Sequence, residues 1–212
     1  MKPYWVKTHW FIKKLFPGYI WSVKSTKKTV YLTFDDGPIP KITEWVLALL
    51  KENNIKATFF CIGDNIEKHP QVFEKVVSED HTIGNHTFNH INGWHTDNKI
   101  YFKNIEACRQ AIIKRTDHDS KLFRPPYGKI SHSQTKEVRN LGYKIVMWDV
   151  LSADFDRYIT PEKCCENVIK NATNGSVIIF HDSIKAFTNL EYALPRVIKY
   201  LKENGYSFGT LA

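Results

Sequence analysis

From Thr29 onward the chain alternates short apolar runs with stretches whose apolar residues recur every three or four positions. Thr29–Phe34 is rich in β-branched and aromatic residues and predicts a buried strand, which runs into Asp35-Asp36-Gly37-Pro38. Ile42, Trp45, Val46, Leu49 and Leu50 then take up helical spacing. Ala57–Ile62 predicts a second strand stopped by Gly63, Val72–Val77 a second helix, and Thr82–Gly84 a short strand leading to Asn85-His86. A helix is expected around Lys99–Thr116, followed by Leu122-Phe123 and the loop Arg124-Pro125-Pro126-Tyr127-Gly128. Ser133–Leu141 reads as a helix stopped by Gly142, and Tyr143–Trp148 as a strand. Thr160-Pro161 has the chemistry of a helix N-cap and first turn. Ser176–Phe180 predicts a strand ending in His181-Asp182, and Pro195–Glu203 a final helix closed by Asn204-Gly205.

This order predicts an α/β protein with a parallel sheet and outer helices, either a (β/α) barrel or an open doubly wound sheet. A full eight-stranded barrel takes about 250 residues. Removing residues 1–28 from 212 leaves 184, so a barrel here is distorted and trimmed. The division at residue 28 follows from charge. Residues 1–28 hold seven lysines and no Asp or Glu, so of the net +8 only +1 (23 basic minus 22 acidic residues) belongs to residues 29–212. We therefore expect a basic aromatic arm, 1–28, ahead of a catalytic domain, 29–212. A near-neutral body is unlike a nucleic-acid binder, which carries basic residues across a folded face. An apolar content of 42% is enough for a core, and no run is long enough to span a bilayer. Four scattered cysteines without a Cys-x-x-Cys pair do not make a disulfide framework, and adjacent Cys164 and Cys165 read as helix packing. With Lys7, His9, Lys13 and Lys14 interrupting its start, the chain shows no secretory signal pattern. The expected location is the cytoplasm or the inner face of the membrane.

The polar residues fall in a telling place. Asp35-Asp36, His86, Arg124, Asp154 and His181 each lie at or just past the C-terminal end of a predicted strand, or in the loop that follows one. In parallel α/β folds those ends converge on one face, where active sites are built. His86 and His90 are four residues apart and would share a face if their segment were helical. Two histidines and a carboxylate form a common ligand set for a catalytic metal, and Asp36 is available at a neighbouring strand end. A tight turn alone does not require two adjacent carboxylates, so one is free to bind metal while Asp35 reaches a water. The prolines before Tyr127 remove two donors, leaving the Tyr127 N–H as the first available to an oxyanion. A His181–Asp154 pair suits a general acid whose imidazolium is stabilised by a carboxylate, although Asp149 and Asp156 are near enough in sequence to fill the same place.

Thr33-Phe34-Asp35-Asp36-Gly37-Pro38, His86-Thr87-x-x-His90, Arg124-Pro125-Pro126-Tyr127, Asp154-Phe155 and Ile179-Phe180-His181 resemble, in order, the five motifs of the polysaccharide deacetylases. This is the NodB-homology group, or carbohydrate esterase family four, and the resemblance runs from about Thr29 to Gly205. It implies a distorted (β/α) barrel and metal-dependent removal of acetyl groups from N-acetylated sugars. It also implies Asp36, His86 and His90 as ligands of one divalent ion, usually zinc with cobalt effective. Asp35 would be the general base, oriented by Arg124; Tyr127 would give its N–H to the oxyanion; His181, tuned by Asp154, would be the acid. Phe155 stands where the family often has Trp, and Ile179 where it often has Leu, which bears on substrate shape. Phe155, Tyr127 and Trp94 are the expected substrate wall, with His95 beside Trp94 at the groove border.

Three other readings accompany this one. A two-His, one-carboxylate site also serves non-haem iron oxygenases, which need none of Asp35, Arg124 or His181. An O-acetyl esterase acting on xylan would use the same residues, and a non-catalytic glycan-binding module would bind without releasing acetate. For the arm, its aromatic residues either cover the base of the barrel or form a peripheral membrane contact through residues 1–22.

Overall fold

A computed structural model describes residues 4–212. The first three residues of the expected arm lie outside that range. The strands are β1 (Thr29–Asp35), β2 (Thr58–Cys61), β3 (Thr82–Asn85), β4 (Leu122–Phe123), β5 (Lys144–Ile145), β6 (Val150–Leu151), β7 (Val177–His181) and β8 (Ser207–Phe208). All pair in parallel, in the order β5-β4-β3-β2-β1-β7-β6, with β8 added at the start of β1. Every residue of β1 but Tyr31 is buried, as expected of a central strand covered on both faces. Phe34 stacks on Phe59 of β2 and on Phe180 of β7, at ring separations of 5.0 and 6.3 Å.

Seven helices follow residue 28: α2 (Ile42–Glu52), α3 (Gly63–Lys68), α4 (Pro70–Ser78), α5 (Asn98–Ile113), α6 (His132–Asn140), α7 (Pro161–Ile169) and α8 (Phe187–Glu203). The expected cap is in place at Thr160, which takes the Lys163 N–H, and the Ser131 hydroxyl caps α6 by taking the Gln134 N–H. Cys164 and Cys165 are buried in α7, as helix packing requires.

Two expected elements have different bounds. The last helix begins at Phe187 and carries Pro195 in its interior. Its buried stripe of Leu190, Ala193, Leu194, Val197, Ile198 and Leu201 outweighs the roughly 3 kcal/mol that an interior proline costs. The strand expected over Tyr143–Trp148 shrinks to Lys144–Ile145. Beyond it the backbone leaves the ladder: Met147 N–H bonds to the Ile20 carbonyl, while the Val146 and Met147 carbonyls turn to the Arg124 side chain.

No helix separates β5 from β6, and these two strands are the unpaired edges of the sheet. Residues 4–28 cover both edges. Leu151 N–H bonds to the Val6 carbonyl and Thr8 N–H to the Asp149 carbonyl on the β6 side; Ile20 N–H bonds to the Ile145 carbonyl on the β5 side. The gap of the trimmed barrel is thereby filled by the N-terminal segment, which satisfies edge groups that would otherwise be open. Between these contacts lies α1 (Trp10–Leu15). The segment's aromatics divide: Trp21 is buried in a cluster with Phe123, Tyr143 and Ile145, whereas Trp5, Trp10, Phe11 and Phe16 remain exposed.

Asp149 is the anchor of this segment. Its buried carboxylate accepts from the Lys7 and Lys13 ammoniums at 2.6 and 2.5 Å and from the Ser176 hydroxyl at 2.5 Å. Burial opposes its charge, but these bonds prevail and hold its pKa below the usual carboxylate value. Both lysines retain partial exposure, which screens the pairs. Asp149→Asn is expected to lower urea-unfolding stability by about 1–2 kcal/mol. An unchanged unfolding midpoint would remove Asp149 as the anchor of this segment.

Candidate active site

The strand ends bring most of the expected residues to one face. Asp35 is the last residue of β1, beside His181 at the end of β7 in register. Arg124 follows β4, fully buried, with its N–H bonded to the Asn85 carbonyl. Its guanidinium donates to Asp35 Oδ1 at 2.6 Å, to the Thr33 hydroxyl at 2.8 Å and to the Met147 carbonyl at 2.9 Å, and lies 4.1 Å over the Phe60 ring. Burial works against the Arg124 charge and Asp35 supports it. The carboxylate is thus gripped by one oxygen, while Oδ2 is left towards His86 Nε2, 3.7 Å away.

Asp36 leaves the strand with φ 82°. Asp36, His86 and His90 each offer one ligand atom, all within 4.8 Å of one another. His86 is not helical and neither is the segment to His90, contrary to the conditional expectation from their spacing. Thr87 and His90 adopt left-handed backbone, φ 63° and 54°, and this reversal brings the two rings to 5.0 Å. Among the described residues, five of the eight non-glycine residues with positive φ (Asp36, Thr87, His90, Tyr127 and Ala153) are at this face, and such strain persists where surrounding structure enforces it.

The cluster fits a cation. Asp36 Oδ1 is buried without a hydrogen-bond partner, and faces His90 Nε2 at 3.2 Å and His86 Nε2 at 3.8 Å. His86 Nδ1 is 2.7 Å from the Arg124 carbonyl, which assigns its proton there and leaves a lone pair on Nε2. His90 Nδ1 is 3.1 Å from the Tyr127 hydroxyl. Burial pushes both imidazoles below their ordinary pKa, His86 well below, so both are neutral, as metal ligands must be. A carboxylate oxygen facing two lone pairs is satisfied by a shared divalent ion.

On the other side, His181 Nδ1 is 2.7 Å from Asp154 Oδ1, and Asp154 Oδ2 accepts the His181 backbone N–H at 2.7 Å. Burial acts to lower the His181 pKa, but Asp154 overrides it and the value rises to about 9. Asp156, by contrast, accepts from the Tyr4 hydroxyl at 2.9 Å. Of the three neighbouring carboxylates, Asp154 alone bonds the His181 ring.

Phe155 packs edge-on to His181, ring centroids 5.1 Å apart, and Tyr127 stands exposed beside His90 at 4.6 Å. The Trp94 indole N–H bonds to the Ile130 carbonyl, and Lys129 Nζ lies 3.8 Å over its ring.

Three supporting residues were not legible beforehand. Asn65 donates to the Asp36 carbonyl at 2.7 Å. Thr33 shares the Arg124 guanidinium and donates to the Ile178 carbonyl. Asp182 accepts the Gly37 N–H at 3.1 Å and the Thr43 hydroxyl at 2.5 Å. Burial raises the Asp182 pKa to about 8. A Cβ on Gly37 would lie 2.0 Å from Asp182 Oδ2, so only glycine fits that turn. The available signals were that Thr33 opens the first motif and that Asp182 directly follows His181.

Comparison with known proteins agrees with this geometry. Residues 22–146 match the polysaccharide deacetylase family model. A peptidoglycan-N-acetylglucosamine deacetylase of Bacillus cereus is 33% identical over 204 residues, covering 94% of this chain and 95% of the relative. The peptidoglycan-N-acetylmuramic acid deacetylase PdaA of Bacillus subtilis is 32% identical over 190 residues, covering 87% and 70%. The crystal structure of the Bc1960 peptidoglycan N-acetylglucosamine deacetylase, in complex with 4-naphthalen-1-yl-N-oxidanyl-benzamide, superposes with a TM-score of 0.88 at 33% identity and covers 96% and 95%. With its parallel, trimmed barrel and its carboxylate–histidine face, this chain belongs to the polysaccharide deacetylase family.

Proposed function

We propose that the protein is a metal-dependent hydrolase that removes N-acetyl groups from the amino sugars of a peptidoglycan-type glycan. The observation that carries the metal dependence is the unpartnered Asp36 Oδ1 between two neutral imidazoles, with a gripped carboxylate on one side and a charged imidazole on the other. The relatives named above act on peptidoglycan, and the N-oxidanyl-benzamide of the similar crystal structure is a hydroxamic acid, a chemical class that chelates divalent metals.

Asp36, His86 and His90 would hold the ion. Zinc in such a site supplies a Lewis acid that polarises the acetamide carbonyl and brings the pKa of water near neutrality. Asp35 takes the proton of the attacking water on Oδ2, since Arg124 occupies Oδ1. The Tyr127 N–H, held at φ 60° after two prolines, donates to the oxyanion as the water oxygen bonds to the carbonyl carbon. His181, with Nδ1 on Asp154, delivers the proton from Nε2 to the amine as the C–N bond breaks. Acetate and a free amino sugar result. Phe155 and Tyr127 would flank the sugar.

Acetate release from N-acetylglucosamine oligomers, peptidoglycan fragments and acetylated xylan tests this reading, with chelator and with zinc restored. Chelation is expected to abolish release from the amino sugars and zinc to restore it. Release that ignores the chelator would overturn the metal role, and release from xylan alone the N-acetyl preference.

A further inference from the structure

Five large apolar side chains stand exposed within twelve residues of the N-terminal segment: Trp5, Trp10, Phe11, Leu15 and Phe16. Among the described residues only six others of this kind are exposed, and they are scattered between positions 94 and 184. Helix α1 buries none of its residues. Its place comes from half-buried Ile12, which packs against the Trp21 cluster, from Lys13 on Asp149, from the Trp21 indole N–H on the Phe16 carbonyl at 3.1 Å, and from the strand pairings on either side. Phe16 is stacked on Tyr19, 5.4 Å apart. A shallow hollow of about 290 Å³, lined by Trp5, Lys7, His9, Phe11 and Ile12, continues the same surface. The apolar face is therefore fixed outward by the contacts that close the barrel.

Its electrical setting selects the partner. Residues 1–28 carry seven lysines and no acidic residue, against a net +1 for the remainder. Lys14, between Lys13 and Leu15, is exposed and in no ion pair among the described residues. In a symmetric contact between two copies, each lysine-rich segment would face its own like charge. Aromatic side chains that sit at the headgroup level, flanked by lysines, suit an anionic bilayer surface. No helix of the described residues is long and apolar enough to cross a membrane.

We propose that residues 5–16 form a peripheral docking surface for anionic lipid bilayers, with Trp10, Phe11, Leu15 and Phe16 entering the headgroup layer and Lys14 meeting lipid phosphate. The anchors of α1, Asp149 and Ser176, precede β6 and β7, at the strand ends opposite the catalytic residues. Docking through α1 leaves the catalytic mouth open to a polymer.

The test is co-sedimentation of the full chain with phosphatidylglycerol-containing vesicles and with phosphatidylcholine vesicles. Residues 4–22 close both sheet edges, so deletion is unsuitable and substitutions are needed. The intact protein is expected to sediment with anionic vesicles and several-fold less with neutral ones. Trp10→Ser/Phe11→Ser/Phe16→Ser should weaken binding by roughly tenfold or more, at unchanged turnover of a short soluble glycan. Lys14→Glu, at an exposed position, should weaken anionic binding alone. The proposal fails if the intact protein ignores both vesicles or if the triple variant sediments like the parent. It also fails if the parent is a dimer that these substitutions dissociate without any lipid partition. Turnover is read separately, so none of these outcomes depends on the deacetylase reading.

Discussion

Asp35→Asn is expected to lower turnover by about 10²–10⁴-fold, the range that a positioned general base contributes. The substitution keeps the shape of the side chain and removes its charge. It also strands the Arg124 guanidinium, which is fully buried and has Asp35 as its one carboxylate partner. Breaking a buried pair from one side costs about 3–5 kcal/mol, so the variant should also unfold at lower urea concentration. Metal content separates the two effects. Asp36, His86 and His90 are untouched, so the folded variant should still take up one equivalent of zinc, measured by atomic absorption. Near-normal turnover in zinc-loaded Asp35→Asn would remove Asp35 from the role of base.

His181→Ala should produce a loss of similar size, about 10²–10⁴-fold, because the amine would then leave without a proton donor. The pH profile carries the sharper information. A His181 pKa raised to about 9 keeps the imidazole charged at neutral pH. Parent activity should therefore hold through neutrality and fall on the alkaline side as His181 deprotonates. Part of the upward shift comes from Asp36 and Asp35, and a cation bound at Asp36 offsets that part, so the limb is expected at or below about 9. The stability consequence has the same sign. A raised folded-state pKa gives a contribution that is full below the unfolded value of about 6.5 and is lost as pH rises through the folded value. In His181→Ala the alkaline limb should disappear from kcat/KM. If it stays in place, another group is the acid.

Much of this site was legible along the chain, for a local reason. Thr29–Phe34, Ala57–Ile62 and Ser176–Phe180 announce strands by apolar and β-branched runs. The alternation with helices forces the strands to run parallel, so residues at their C-terminal ends must share a face. Asp35, Arg124 and His181 followed from that rule. Where backbone geometry decided, the reading along the chain failed. The spacing of His86 and His90 suggests a helical face, yet left-handed Thr87 and His90 bring the rings together. Pro195 suggests a helix start, yet a buried stripe on either side runs the helix through it.

The chain alone carries the parallel α/β order, the deacetylase motifs and the strand ends at which they lie, because periodicity, turn residues and motif spacing are properties of short segments. It also separated the basic segment 1–28 from the neutral remainder, since charge is counted without coordinates. Which carboxylate serves His181, how Asp35 is gripped, and the filling of the gap between β5 and β6 by residues 6–8 and 20 were settled by folding. These depend on partners far apart in the chain: Lys7 meets Asp149 across 142 positions, and Gly37 meets Asp182 across 145. A side chain's burial, charge and hydrogen bonds are set by whatever folding brings against it, and no short segment contains that information.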